Sequence, residues 1–161
     1  MINEYYELQI KLEKKYGPLS VVLQECGSFY EMYSVNTVKT VIGNLEEISK
    51  LLGIQLTKKN KKKQHSKSNP YLVGFPNVSL HKYLTKLVNN QYTVSVYNQK
   101  DIENSTKKDR KLEKIYSITN YIENEINENV YLSCMYLEKY KSAITNDNLY
   151  NIYISLIDLT T

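Results

Sequence analysis

The residues best placed for chemistry are an aromatic ring and a carboxylate within the segment Gly27-Ser28-Phe29-Tyr30-Glu31-Met32-Tyr33. The apolar run at 21–23 predicts a strand that leads into this segment, and a turn opens at Ser28. We expect a helical turn to begin there, with Phe29 at its first position, where side chains are commonly exposed. An exposed phenylalanine beside the carboxylate of Glu31 needs a reason other than core packing.

Both residues also have purely structural interpretations. Ser28 and Glu31 have the spacing of a capping box, in which the hydroxyl and the carboxylate satisfy the exposed amides of a first helical turn. Phe29 can fill a hydrophobic core, as most phenylalanines do. Tyr30 and Tyr33 suit the core or its flank better than direct contact with a ligand.

The sequence contains no recognised catalytic motif. It has no Gly-x-x-x-x-Gly-Lys-Ser/Thr phosphate loop, no Gly-x-Ser-x-Gly elbow and no His-Glu-x-x-His metal helix. His65 and His81 have no cysteine or carboxylate at ligand spacing, and we interpret both as ordinary surface or boundary residues. Cys26 and Cys134 lie far apart, which favours a reducing intracellular compartment. We therefore expect no catalysis, metal or cofactor in this chain.

Positive charge is concentrated in the first part of the chain. Residues 1–116 carry 19 basic and 11 acidic side chains, a net of +8, whereas residues 117–161 carry 2 basic and 6 acidic ones, a net of −4. The polar segment 58–68 predicts a surface loop that holds six lysines, namely Lys58, Lys59, Lys61, Lys62, Lys63 and Lys67. A basic lobe favours a polyanionic partner, but such a loop can also be solvated and disordered without a ligand.

The elements that must position these residues alternate between helix and strand. The apolar spacing predicts helices over 3–16, 36–52 and 79–88. Gly53 is predicted to cap the second helix at its C-terminus. Short strands are predicted at 21–23, 54–57, 71–73, 92–97 and 111–118. This alternation indicates a two-layer or three-layer α/β domain.

The remainder of the chain predicts a connector and a second, incomplete domain. Residues 119–128 are acidic and rich in asparagine, and strand-like runs follow at 130–136 and 149–159. We therefore expect a domain at 1–118, a linker, and the beginning of another α/β domain at 129–161. No apolar run of 18 residues is present, and the first six residues do not form a secretory signal, so we expect no membrane segment.

The segment around Phe29 resembles the Gly-x-Phe-Tyr-Glu-x-Phe/Tyr segment that begins the mismatch-binding domain of MutS proteins. Four further segments are similar to that domain in the same order: the strand at 51–58, the Gly-Phe-Pro turn at 73–76, the Tyr-x-x-Lys-Leu-Val helix at 83–88 and the strand at 92–99. On these motifs the chain is identified as a MutS-type mismatch-recognition domain followed by the start of a connector domain. The chain has 16 tyrosines and no tryptophan, and in this composition it resembles the branch of the MutS family found in large DNA viruses.

Several positions depart from the family pattern. Ser28 stands where an aspartate is usual, and both residues can cap helices. The pair Asn77-Val78 replaces Tyr-His, and Asn98 replaces a glutamate. Glu25 stands where a basic or neutral residue is usual. These changes bear on DNA affinity, because the carboxylate of Glu25 fits poorly beside phosphates.

The resemblance implies a mixed β-sheet flanked by helices and a role in binding mismatched double-stranded DNA. It implies that Phe29 is a wedge that stacks on a mispaired or unpaired base from the minor groove, while Glu31 exchanges a hydrogen bond with the displaced base. The implied phosphate contacts are Lys58, Lys59, Lys61, Lys62 and Lys63. It further implies that the full-length protein is a homodimeric ATPase, with ATP and Mg²⁺ in a C-terminal domain that this chain does not contain.

Two other functions remain open from the residues alone. A generic basic α/β module would bind single-stranded nucleic acid or RNA by tyrosine stacking and lysine contacts, and it would prefer single strands to a mismatched duplex. A non-catalytic interaction domain would bind an acidic protein and show no salt-dependent DNA binding. The intracellular compartment stays open among nucleus, cytoplasm, mitochondrion and viral factory.

Overall fold

The computed structural model describes residues 2–101, 108–121, 131–142 and 147–158. The chain divides into two compact units, Met1–Tyr121 and Ile122–Thr161. The described elements of the first unit are, in chain order, α1 (Ile2–Tyr16), β1 (Ser20–Cys26), β2 (Phe29–Thr37), β3 (Thr40–Ile42), α2 (Leu45–Leu52), β4 (Thr57–Lys58), β5 (Tyr71–Pro76), a 3-10 turn (Asn77–Ser79), α3 (Leu80–Asn89), β6 (Thr93–Asp101) and β7 (Lys108–Tyr116).

The strands of the first unit form one mixed sheet. Among the described residues it has seven strands in the order β4-β5-β2-β1-β6-β7, with β3 paired to β2. Strands β1 and β6 run parallel, and the other neighbouring pairs are antiparallel. A parallel pair requires a crossover connection, which here includes α2 and α3. The predicted α/β fold with a mixed sheet flanked by helices is confirmed.

Helices cover both faces of this sheet. On one face, α1 buries a cluster with the sheet that comprises Tyr5, Tyr6, Leu12, Val22, Tyr33, Val35 and Ile42. On the other face, α2 and α3 bury a larger cluster that includes Val21, Leu23, Tyr30, Met32, Leu45, Ile48, Leu87 and Val88. Because successive side chains of a strand point to opposite faces, β1 and β2 are buried on both sides.

Polar contacts fasten α1 to β1. Gln9 is buried, and its side chain accepts a hydrogen bond from the Val22 backbone N (2.9 Å) and donates one to the Ser20 backbone O (2.7 Å). The Tyr5 hydroxyl donates to the Val22 backbone O (3.0 Å). These contacts give buried polar groups the partners that they need.

The helix predicted over 36–52 is wrong in its first half. Strand β2 continues past residue 36, β3 follows, and α2 begins only at Leu45. Val38 and Val41, which suggested a helical period, are exposed, and the pairing of β2 with β3 outweighs that local pattern. The predicted C-cap is confirmed, since Gly53 ends α2 with a left-handed φ of 69°.

Most of the other predicted elements are confirmed with shifted bounds. The strands predicted at 21–23, 71–73 and 92–97 are β1, β5 and β6. The strand predicted at 54–57 is largely wrong, because only β4 at its end pairs with β5. Helix α3 follows a 3-10 turn, and the Ser79 side chain makes no capping hydrogen bond.

In its described residues, the second unit is an antiparallel hairpin of β8 (Tyr131–Lys141) and β9 (Asn148–Asp158). This agrees with the two predicted strand runs, whose outer residues Val130 and Leu159 lie outside the described residues. Most of the predicted linker at 119–128 also lies outside them. The domain boundaries drawn from the sequence therefore stay a prediction.

Candidate nucleic-acid interface

A two-residue hairpin turn joins β1 to β2 directly before Phe29. Cys26 and Phe29 pair across this turn, and Gly27 takes a positive φ of 64°. A glycine with positive φ is typical of two-residue hairpin turns, because it lets the turn match the twist of the strands. The helical turn and capping box predicted at Ser28 are therefore wrong. Strand β2 pairs with β1 on one side and β5 on the other, and this pairing holds the segment extended.

The Phe29 ring is exposed, as expected, although the reason differs from a helical first turn. Phe29 is the first residue of β2, pairs with Pro76 at the end of β5, and keeps 45% of its surface exposed. The next residue, Tyr30, points to the opposite face and is buried. The ring therefore stands outside the core on a backbone that is paired on both sides.

Glu31 lies two residues further along β2, on the same face of the sheet as Phe29. Its half-buried carboxylate accepts a hydrogen bond from the Tyr33 hydroxyl. Phe29, Glu31 and Tyr33 therefore form a line from an exposed ring, through a carboxylate, to a buried phenol. Burial raises the pKa of Tyr33, and the hydrogen bond to Glu31 raises it further. The phenol thus keeps its proton and remains the donor.

The thiol of Cys26 also borders Glu31. Burial raises the pKa of Cys26, the charge of Glu31 adds to this effect, and the guanidinium of Arg110 opposes it. A raised pKa keeps the thiol protonated, and a protonated thiol is a poor nucleophile. We therefore assign Cys26 no chemistry of its own.

Hydrogen bonds hold the hairpin turn against its neighbours. The Glu25 carboxylate accepts from Asn77 Nδ2 through Oε1 (2.8 Å) and from the Gln99 backbone N through Oε2 (2.7 Å). The Gln99 side chain accepts from Gly27 N (3.1 Å), and the Asn77 backbone N donates to Ser28 O (2.9 Å). Glu25, which we expected to fit poorly beside phosphates, has both carboxylate oxygens engaged within the protein.

The lysine-rich loop is folded around a buried asparagine. The Asn69 amide nitrogen donates to the carbonyl oxygens of Asn60 (3.0 Å), Lys63 (3.1 Å) and Gln64 (3.0 Å). Its amide oxygen accepts from Asn60 N (2.7 Å), and Asn69 is 4% exposed. Lys58 Nζ donates to Lys63 O (2.9 Å). These contacts favour a folded loop over the solvated, disordered alternative.

Three further contacts attach the loop to the rest of the unit. His65 stacks on Tyr71 with 3.9 Å between ring centroids, and its Nε2 accepts from the Asn36 backbone N (3.1 Å). The Tyr6 hydroxyl donates to Lys67 O (2.9 Å). His65, interpreted from the sequence as an ordinary surface residue, is a structural contact of the loop.

The predicted phosphate-binding lysines do not share one position. Lys58 is half-buried and bonded to the loop, whereas Lys61, Lys62 and Lys63 are exposed on it. Lys59 Nζ lies 5.9 Å from the centroid of the Tyr33 ring. Among the described contacts, Lys59 is the loop lysine that connects to the Phe29–Glu31–Tyr33 line.

Sequence reasoning missed the residues that hold the site. The contact of Tyr33 with Glu31 could have been predicted, because residues two apart in a strand lie on the same face. The contacts of Glu25 with Asn77 and Gln99 span 52 and 74 residues and leave no local pattern.

The sequence matches the family model described as MutS domain I over residues 1–125. The chain belongs to the MutS domain I family. This MutS domain I is 32% identical to the mutS homolog of Acanthamoeba polyphaga mimivirus over 160 residues, 98% of this chain and 14% of that protein. It is 30% identical to the DNA mismatch repair protein MutS of Thermodesulfovibrio yellowstonii over 144 residues, 88% of this chain and 14% of that protein. The chain thus spans about one seventh of the length of these relatives.

The described part of this MutS domain I lacks two features, a membrane-spanning helix and a cluster of metal ligands. None of its helices has the length and apolar character to cross a membrane. Within the same residues, no group of three or more His, Cys, Asp and Glu side chains is arranged to hold a metal ion.

Proposed function

We propose that this MutS domain I recognises mismatched DNA, with Phe29 as a wedge in the minor groove and Glu31 as the hydrogen-bonding partner of the displaced base. The observation that carries the proposal is an exposed aromatic ring directly after a hydrogen-bonded hairpin turn, two residues from a carboxylate on the same face. Family membership supports mismatch repair as the setting, because relatives at 30–32% identity are named for it.

Phe29 supplies selectivity through the deformability of the DNA. Inserting an apolar side chain between base pairs costs a few kcal/mol of unstacking and kinks the duplex. A mismatch is already poorly stacked and easily bent, so insertion costs less there than at a paired step. Because Phe29 begins a strand that is paired on both sides, we expect little ordering of the protein to accompany insertion. Such readout suits a protein that must recognise many different lesions.

Glu31 adds selectivity of a second kind. A carboxylate near phosphates is unfavourable, and only a base edge within reach offsets that repulsion. Glu31 therefore disfavours ordinary duplex and tolerates a displaced base. The Tyr33 hydroxyl occupies part of the accepting capacity of the carboxylate and restricts its rotation, so the remaining capacity is presented in a defined direction.

The lysine-rich loop supplies contacts that do not depend on sequence. Lysines that neutralise phosphates release counterions, so binding weakens as salt rises. Lys61, Lys62 and Lys63 are exposed and can reach phosphates, and Lys59 contacts the Tyr33 ring at the opposite end of the Phe29–Glu31–Tyr33 line from the wedge. Lys58 contributes mainly by bonding the loop to itself.

The whole protein is proposed to be an intracellular, homodimeric mismatch repair ATPase. Its ATP and Mg²⁺ would bind in a domain outside this chain, which spans 14% of the length of the mimivirus and Thermodesulfovibrio relatives and has no phosphate-loop motif. In this proposal, residues 1–118 are the recognition domain, 119–128 the linker and 129–161 the start of a connector domain. The chain itself carries DNA recognition and no catalytic step.

Equilibrium binding tests the proposal through a selectivity ratio, defined as the affinity for a duplex with one unpaired thymidine divided by the affinity for its matched twin. The whole gene product is titrated at two salt concentrations. We expect the wild-type protein to give a ratio well above one and Phe29→Ala to lower that ratio to about one. Leu112→Ala is the matched control, because Leu112 is similarly exposed at 47% and should leave the ratio unchanged.

The other outcomes separate the alternative functions. If Phe29→Ala weakens both duplexes equally, the wedge is wrong. Tighter binding to a single strand than to either duplex would favour the generic nucleic-acid module. Binding that does not respond to salt would favour the protein-interaction domain.

A further inference from the structure

We propose that Glu25 and Asn77 form a positioning pair that holds the hairpin turn so that Phe29 is ready for insertion. The proposal rests on the function proposed above for Phe29. It gives a role to two residues that act through the turn and not by touching the DNA bases.

Both oxygens of the Glu25 carboxylate accept a hydrogen bond. Oε1 accepts from Asn77 Nδ2 at 2.8 Å, and Oε2 accepts from the Gln99 backbone N at 2.7 Å. Hydrogen bonds to an ionised acceptor are shorter and stronger than those between neutral groups. Two of them from different directions leave the half-buried Glu25 side chain little freedom to rotate.

The two donors come from opposite sides of the hairpin. Asn77 opens the 3-10 turn that follows β5, and Gln99 belongs to β6, whereas Glu25 lies near the end of β1. In the sheet order, β1 has β2 and β6 as neighbours, and β5 lies beyond β2. The carboxylate therefore links the end of β1 to a segment on each side of it.

Every residue between Glu25 and Phe29 has a polar contact of its own. Cys26 Sγ is 3.7 Å from Arg110 Nη2, while Gly27 N donates to the Gln99 side chain and Gly27 O lies 3.3 Å from Asn77 Nδ2. The carbonyl of the last turn residue, at position 28, accepts from the Asn77 backbone N. Phe29 is thus the first residue after a fully held segment. The position of its exposed ring therefore depends on the position of that turn.

The position of the turn decides how well the ring can be inserted. The ring must keep its orientation while it separates the stacked bases. If the turn is mobile, ordering it on binding costs free energy and weakens the complex. A misplacement of about 1 Å is enough to spoil a positioned contact. Loss of the Glu25–Asn77 hydrogen bond should therefore reduce insertion at a mismatch more than it reduces ordinary contacts with phosphates.

The selectivity ratio of the whole gene product tests the pair. We expect Glu25→Ala and Asn77→Ala each to lower the ratio by about 2- to 10-fold, the range for one hydrogen bond. The double variant should lose less than the two single losses combined, because the Glu25–Asn77 bond is removed by either substitution while the bond to Gln99 N and the contact with Gly27 O are lost separately. Affinity for the matched duplex should change by less than about twofold, since phosphate contacts remain.

A reversed pair separates positioning from simple destabilisation. Glu25→Gln with Asn77→Asp keeps one amide and one carboxylate, so the bond can form again with donor and acceptor exchanged. The amide oxygen of the new side chain at position 25 can still accept from Gln99 N. We expect the reversed pair to restore part of the ratio, since position 77 then loses its donor to Gly27 O, and Asn77→Asp alone, which opposes two carboxylates, to lower it most. A reversed pair no better than Asn77→Asp alone would overturn the proposal.

Two controls distinguish a failure of the proposed wedge function from a failure of the Glu25–Asn77 pair. In a Phe29→Ala background, Glu25→Ala should have no further effect on the ratio, because the pair acts through the ring. Tyr30→Phe removes a hydrogen bond of similar length, from the Tyr30 hydroxyl to Asn98 Oδ1 (2.7 Å), and should leave the ratio unchanged. If Phe29→Ala has no effect, the proposed function fails. If Phe29→Ala lowers the ratio to about one while the folded Glu25 and Asn77 variants keep the wild-type ratio, only the proposal of the positioning pair is overturned.

Discussion

The Tyr33 hydroxyl donates a hydrogen bond to the Glu31 carboxylate, so a core residue fixes a group that is proposed to face DNA. Tyr33 is held in turn by α1, since its ring packs edge-on against Tyr5 with 5.1 Å between centroids. Lys59 lies over the same ring. One buried phenol therefore connects the first helix, the lysine-rich loop and the carboxylate of the proposed site.

Removing this hydroxyl should weaken selectivity with little effect on the fold. Tyr33→Phe keeps the packed ring but frees the Glu31 carboxylate, so we expect the selectivity ratio to fall by about 2- to 10-fold. The free energy of unfolding should fall by only about 1 kcal/mol. Tyr30→Phe, on the opposite face of β2, is the control. An unchanged ratio in Tyr33→Phe would mean that Glu31 acts without this donor.

The exposed loop lysines should set the salt dependence of binding but not its selectivity. If Lys61, Lys62 and Lys63 each meet one phosphate, their joint replacement by alanine should reduce the slope of log affinity against log salt by up to about 2.7. The selectivity ratio should stay within about twofold, because these contacts are shared by both duplexes. Titrations across a series of salt concentrations measure both quantities.

A second lysine triplet controls for the loss of charge. Lys11, Lys14 and Lys15 are exposed on α1, and their replacement by alanine removes the same net charge from another surface. We expect a smaller change in the salt slope than the loop variant gives. Equal slopes in the two variants would show that the loop makes no specific phosphate contacts.

Asn69 should stabilise the loop more than its size suggests. Asn69→Ala removes four hydrogen bonds and leaves backbone groups of the loop unpaired. We expect the free energy of unfolding to fall by about 2 kcal/mol or more, and the Asn60 amide to exchange hydrogen faster. Asn90→Ala removes a single exposed bond to Lys86 O and should cost less than about 1 kcal/mol. Equal effects of the two variants would contradict the central role of Asn69.

Buried tyrosines should make the fold sensitive to alkaline pH. Burial raises the pKa of Tyr6 to about 12, and burial also raises the pKa of Tyr5 and Tyr33. A raised pKa stabilises the fold below the unfolded value of about 10, and this stabilisation is lost as pH rises toward the folded value. The free energy of unfolding should therefore fall above about pH 10, by up to about 1.4 kcal/mol per pH unit for each such tyrosine. Urea unfolding at about pH 8, 10 and 11 measures it, and equal stabilities would contradict the burial of these hydroxyls.

Local signals in the sequence account for much of the fold. The helical period predicts α1, the apolar runs predict β1, β5 and β6, and Gly53 marks the end of α2. Strand β2 could not be predicted in the same way. Its first residues have the spacing of a capping box, and their extended form depends on pairing with β1 and β5. Pairing with strands that are distant in sequence overrides such a local pattern.

The candidate site was predictable only in part. Phe29 and Glu31 stand out in a short motif, but the groups that hold them are distant in the sequence. Glu25 and Asn77 appear there as two separate departures from the MutS pattern, 52 residues apart. In the structure they contact each other at 2.8 Å, so the two departures are one contact.

Bending of the DNA tests the insertion of Phe29 most directly. Dyes at the two ends of a duplex with one unpaired thymidine report its end-to-end distance when the whole gene product is saturating. We expect this distance to shorten with the wild-type protein and with Leu112→Ala, and to stay unchanged with Phe29→Ala, because the proposed kink comes from the inserted Phe29 ring. The matched twin should stay straight in every case. If Phe29→Ala bends the mismatched duplex as the wild type does, Phe29 is not the wedge.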